Sequence, residues 1–153
     1  LGNQPQRKDD DSGVVMRQDR GMQPSTHQGP AYKDLHAWTK ARDLAVDLLK
    51  LVESGLLAKS RSLSDQMQRA AISVPSNIAE GEERGTNKDA LRFLFISKGS
   101  LAELRTQLEI AHLAGHVSHE DYVRLESASD QVARLLSGLI RSRVLRERAN
   151  PNC

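Results

Sequence analysis

Cysteine is all but missing: the single thiol, Cys153, is the last residue of the sequence and has no second thiol to pair with. A disulfide framework is excluded, and a reducing, cytoplasmic setting is the expectation. Aromatic residues make up only 3% of the chain, too few for the thick core of a sheet sandwich, whereas slender helices pack closely on Leu, Ala, Val and Ile. No apolar run approaches the roughly 18 residues that span a bilayer, and the N-terminal stretch lacks the apolar core of a signal peptide. No membrane partner is expected. Excess charge of one sign is lacking too: the formal net charge is +2, so any surface for a polyanion has to be local.

What the sequence does carry is helical periodicity. Residues 1–31 mix Gly, Pro, Gln, Asp and Arg with one short apolar cluster, Val14-Val15-Met16, and read as a disordered N-terminal tail that cannot bury enough surface to offset the entropy of ordering it. Its Asp9-Asp10-Asp11 run reads as solvated, since nothing nearby completes a coordination shell. From Asp34 the pattern changes. Leu35, Trp38, Ala41, Ala45, Leu48 and Val52 recur at three- and four-residue steps, ending at Ser54-Gly55. A second helix opens near Ser62 or Ser64 and runs through Met67, Ala70, Ala71, Val74 and Ile78 to Gly81 or shortly after. Pro75 predicts a kink there, with the Ser73 hydroxyl available to a freed carbonyl.

Asn87 is a suitable cap for a third helix carrying Leu91, Leu94, Phe95, Leu101, Leu108 and Ala111 to Gly115. Ser118 and Asp121 form a capping pair that opens a fourth helix, through Tyr122, Leu125, Val132, Leu136, Ile140 and Val144, before Asn150-Pro151. The expected fold is all-α: an antiparallel up-and-down four-helix bundle over residues 32–149, with a C-terminal tail at 150–153. The third and fourth helices are the longer pair, so their ends call for a further partner.

No constellation for catalysis stands out. Glu109 and His112 have the spacing of half a di-iron site, but the second Glu-x-x-His is missing, and Gly115 interrupts the His112–His116 pair as a zinc site. Lys98-Gly99-Ser100 lies within a helix rather than in a phosphate-binding loop. Neither an enzymatic activity nor a cofactor, metal or small-molecule substrate is expected. A polar line, Arg69, Ser73, Asn77, Glu80 and Arg84, runs along the second helix and faces Lys88, Arg92, Lys98 and Glu103 on the third. It reads as a register-fixing network, as a ligand or RNA surface, or as a simply solvated face. Phe93, Ile96 and Leu104 lie off the main stripe of the third helix, which implies a second interface: this face is either buried inside a wide bundle or meets another subunit, and self-association is the expectation. Arg134, Arg141, Arg143, Arg146 and Arg148 make the end of the fourth helix basic. They complement its dipole or, with Lys88, contact RNA phosphates.

Residues Gln66 to Gly81, reading QMQRAAISVPSNIAEG, followed by Arg92-Phe93-Leu94 and Gly99-Ser100-Leu101-Ala102-Glu103-Leu104, closely resemble the bacterial four-helix-bundle proteins encoded in intervening sequences of 23S ribosomal RNA genes. The resemblance spans about Leu35 to Val144. It implies a cytosolic, non-enzymatic bundle that assembles into a ring-like homo-oligomer, a pentamer, with RNA as an alternative partner. Two departures stand out: the connection Ser54 to Ser62 lacks the family's Phe-Pro and acidic-aromatic residues, and Arg105 occupies a position where glutamate is usual.

Overall fold

The computed structural model describes residues 30–55, 57–58 and 60–149. The expected tail therefore lies outside the described residues except for Pro30 and Ala31, and residues 150–153 lie outside them altogether. Ala31 belongs to a 3-10 turn, Ala31–Asp34, that leads into the first helix. Four α-helices follow: α1 His36–Glu53, α2 Arg61–Glu83, α3 Asn87–Leu113 and α4 His119–Ala149. Among the described residues there is no strand.

In α1 and α2 the apolar residues that recur once per turn are also the ones the helix buries. In α1 they are Ala37, Ala41, Leu44, Ala45, Leu48 and Leu51. The helix stops where the Ser54 hydroxyl donates to the Leu51 carbonyl at 2.6 Å and Gly55 adopts a φ of +82°, a conformation that costs glycine little. Pro75 lies inside α2 and is buried, and the helical assignment runs through it without a break. The Ser73 hydroxyl pairs with the Ser100 hydroxyl of α3 at 2.8 Å rather than with a carbonyl freed by the proline.

α3 and α4 open on the same device. The Thr86 hydroxyl accepts from the Asp89 amide at 3.1 Å and donates to its carboxylate at 2.8 Å. Ser118 does the same with Asp121, at 3.0 and 2.7 Å. Thr86, not Asn87, is thus the cap of α3, because a hydroxyl followed three residues later by Asp serves both partners at once. The Ser118 hydroxyl, with help from Arg124, holds the Asp121 carboxyl below its ordinary value. A depressed carboxyl contributes stability that is present above its unfolded-state value and is lost as pH falls through the lowered one. Ser118→Ala is therefore expected to cost about 1 kcal/mol at neutral pH. It should also weaken the dependence of stability on pH across the carboxylate range, as urea denaturation between pH 3 and pH 7 would measure.

The helices close into a ring in which each packs on its sequence neighbours and α1 also meets α4; among the described residues the backbones of α1 and α3, and of α2 and α4, do not come close. Contacts between α2 and α3 pair Gln66 with Gln107, Ser73 with Ser100 and Gly81 with Ala90. The residue number falls on one helix as it rises on the other, so this pair runs antiparallel. The same holds for α3 and α4, where Arg105 meets Glu126 and Asn87 meets Arg143. Small residues let the helices approach closely. A Cβ built at Gly81 would lie 3.0 Å from the Phe93 Cβ and 3.1 Å from the Ala90 carbonyl oxygen, so α2 and α3 touch at that point only because it is glycine.

Ser97, fully buried, donates to the Val74 carbonyl at 2.9 Å, one residue before the proline. Ser129 is buried as completely, and Ser64 and Gln107 nearly so, while the bulk of the core is aliphatic: Leu48, Met67, Val74, Ile78, Leu94, Leu101, Leu104, Leu108, Leu125, Val132 and Leu136 are sealed from solvent.

Candidate functional site

The polar line between α2 and α3 divides into parts with different roles. At its centre the Asn77 amide donates to the Ser73 carbonyl at 2.8 Å and to the Ser73 hydroxyl at 2.9 Å, and Ser73 in turn meets Ser100. This half-buried chain ties the two helices in register. Further along, Glu80 pairs with Arg84, whose guanidinium lies 4.9 Å from the centroid of the Phe93 ring. Phe93 is thereby occupied within its own chain. Glu103 accepts from the Gln107 amide at 2.9 Å. Arg69 and Arg92 are exposed, and neither has a polar partner among the described residues.

α3 departs from the expected burial pattern in two places. Leu104, read as off the main stripe, is in the core at 1% exposure, whereas Phe95, read as part of the core stripe, is 53% exposed. Ile96 is 43% exposed, Ile110 51% and Leu113 78%. At 100° per residue, Phe95, Gly99, Ala102, Thr106, Ile110 and Leu113 fall within about 80° of one another on the side turned away from the core. The exposed apolar surface of α3 is thus a row about 27 Å long, broken only by small residues.

The basic residues of α4 also separate. Arg143 is largely buried: its Nη2 donates to both carboxylate oxygens of Glu82, at 2.6 and 2.5 Å, with the two side chains 19% and 11% exposed. Asn87 completes this joint, donating to the Arg143 carbonyl at 2.9 Å and to Glu147 at 2.8 Å. Arg143 therefore staples α4 to the end of α2 and is not available to phosphates. Lys88, Arg134, Arg141, Arg146 and Arg148 are exposed.

Two adjoining hollows, of about 300 and 440 Å³, follow the seam between α3 and α4. The first is lined by Lys98, Leu101, Ala102 and Arg105, the second by Asp130, Arg134, Gly138 and Arg141, and both by Ala133 and Ser137. Arg105 bonds to Glu126 and lies 2.9 Å from Asp130. Its hydrogen bond to Glu126 comes first among the influences that push its pKa above the already high arginine value, against the opposing effect of burial. An arginine at this position is thus neutralised locally by two carboxylates of α4.

The histidines meet at the α3–α4 turn. The His112 Nδ1 lies 3.1 Å from the Val117 carbonyl, and its ring stacks on Tyr122 at 4.5 Å between centroids, with His119 at 5.5 Å. Glu109 is exposed. Among the described residues no three His, Cys, Asp or Glu side chains come together in a way that could hold a metal ion. No described helix is long and apolar enough to cross a membrane.

No curated protein matches the chain. Among solved structures, a protein of unknown function from the S23 ribosomal protein family of Bacteroides thetaiotaomicron superposes with a TM-score of 0.63 at 23% identity, over 68% of this chain and 97% of its own. That likeness is one of fold, and it reaches across nearly the whole of the Bacteroides chain. The pattern of residues common to the 23S rRNA-intervening sequence proteins is matched over residues 33–138, from the first helical turn well into α4, and the chain belongs to that family.

Proposed function

We propose that this protein is a non-enzymatic, cytoplasmic scaffold that works as a homo-oligomer, with the outward row of α3 as the surface through which copies meet. The observation that carries this reading is the placement of Phe95, Ile96, Ile110 and Leu113, all more than 40% exposed, on a helix that already buries a full apolar stripe. Isolated exposed apolar residues are ordinary on monomers. A row along one helix, interrupted only by small residues, is a feature of surfaces that are covered in use. Gly99, Ala102 and Thr106 lie between the larger side chains and permit the close approach of a second helix.

The Ser73–Asn77–Ser100 chain holds α2 and α3 in fixed register and so keeps this surface rigid, while Arg69 and Arg92 remain free at its edge to pair with carboxylates of a neighbouring copy. A ring of five is the assembly that the family resemblance implies.

Light scattering coupled to size exclusion at micromolar concentration tests the reading. The chain is expected to elute at a multiple of its single-chain mass, and Phe95→Glu with Ile110→Glu is expected to shift it to a single-chain mass. Burial of each such side chain contributes about 1.5 to 3 kcal/mol, so losing both weakens association by a hundredfold or more. A single-chain mass for the unaltered protein overturns the proposal.

A further inference from the structure

Arg134, Arg141 and Arg148 recur at seven-residue steps, two turns of helix, and so stand about 10 Å apart along one face of α4. All three are exposed, and none has a hydrogen bond or ion pair among the described residues. Lys98 of α3, exposed and equally unpaired, lines the hollow that continues into the one bordered by Arg134 and Arg141. Asp130 lines the second hollow beside Arg134 and Arg141, but its carboxylate is held by Arg105, as is that of Glu126; Glu82 holds Arg143, and Glu147 accepts from Asn87. Ser137 and Gly138, with Ala102 and Ala133, present no bulky side chain between the cations.

A small anion would use one or two of these four cations. A row of unpaired guanidinium groups along about 20 Å of straight helix matches a ligand whose charge repeats, and planar guanidinium forks suit phosphate oxygens. An acidic protein partner would be expected to seat a large apolar anchor at the centre of its contact, and the floor between Arg134 and Arg141 offers only small side chains. No aromatic side chain lines either hollow, so there is no platform on which bases could stack. We infer that the α4 arginine stripe, with Lys98 across the groove, binds the phosphate backbone of a nucleic acid without reading its sequence. The stripe lies to one side of the outward row of α3, and the inference does not rest on self-association.

The test is fluorescence anisotropy with the full chain and three labelled probes: a 20-nucleotide oligouridylate, a 20-base-pair RNA duplex and a poly-glutamate peptide of similar charge. Either RNA is expected to bind at 50 mM salt, whichever of the two binds more tightly identifying the strandedness preferred, and affinity should fall steeply with added salt. Substituting Gln at Arg134, Arg141 and Arg148 is expected to weaken binding about 10- to 100-fold and to make the log–log salt slope shallower by about 2, as the loss of three phosphate contacts requires. Lys40→Gln, Lys50→Gln and Arg61→Gln together remove the same charge from exposed positions elsewhere and should change affinity less than threefold. Circular dichroism melting confirms that both triple variants are folded. Absence of RNA binding at 50 mM salt, equal binding of poly-glutamate, or an equal loss in the two triple variants overturns the inference.

Discussion

Arg143→Met is expected to destabilise the bundle by about 2 to 4 kcal/mol in urea denaturation at neutral pH, more than any other change to a charged residue of α4. Methionine preserves much of the apolar stem, so the loss isolates the charge and its hydrogen bonds. Removing the guanidinium strands the Glu82 carboxylate at 11% exposure, with the desolvation cost of an ion and none of its compensation. Glu82→Gln in the same background should recover part of the loss, giving a coupling energy of about 1 to 3 kcal/mol in the double-mutant cycle. By contrast, Arg141→Gln, two residues away and exposed, should change stability by less than about 0.5 kcal/mol. If Arg143→Met proves as silent as Arg141→Gln, the staple between α2 and α4 contributes nothing and the division between a buried Arg143 and exposed arginines fails.

That division shows what could be read from the sequence and what could not. The existence of four helices, and the inward faces of α1 and α2, follow from spacing alone, because each carries a single apolar stripe. α3 is harder to read. Apolar residues occur around more than one side of it, so Leu91–Phe95 and Leu94–Leu101–Leu104 both satisfy helical spacing, and only contact with α2 and α4 selects the second set for the core. The cap of α3 was legible on closer inspection. Thr86 and Asn87 are both competent, but only Thr86 has Asp three residues on to complete the reciprocal pair.

The staple also left a trace. Arg143 lies seven residues after Leu136 and three after Ile140, on the continuation of the buried stripe of α4, while Glu82 follows the buried Ile78 by four. A charge on a core stripe needs an opposite charge on the facing one. The five arginines are therefore not one basic cluster, since Arg134, Arg141 and Arg148 share a different face. The α3–α4 hollows had no sequence signal of their own, because they depend on which small residues of two distant segments come to lie opposite each other.

Leu94→Ala is expected to cost about 3 to 5 kcal/mol, enough to leave a bundle of this size only marginally folded. Leu94 is sealed from solvent in a core whose neighbours are aliphatic and already in close contact. Truncation therefore leaves a cavity that helices held in register by Ser73–Ser100 and Ser97–Val74 cannot easily close. The informative comparison is with the next residue. Phe95 is turned about 100° further round the same helix and is 53% exposed, so Phe95→Ala should change the stability of the single chain by less than about 1 kcal/mol while weakening association. Denaturant titrations at two protein concentrations separate the effects: the loss in Leu94→Ala persists at low concentration, whereas that in Phe95→Ala disappears on dilution. A Phe95→Ala loss that is independent of concentration would place this ring in the fold of the single chain and remove it from the contact between copies.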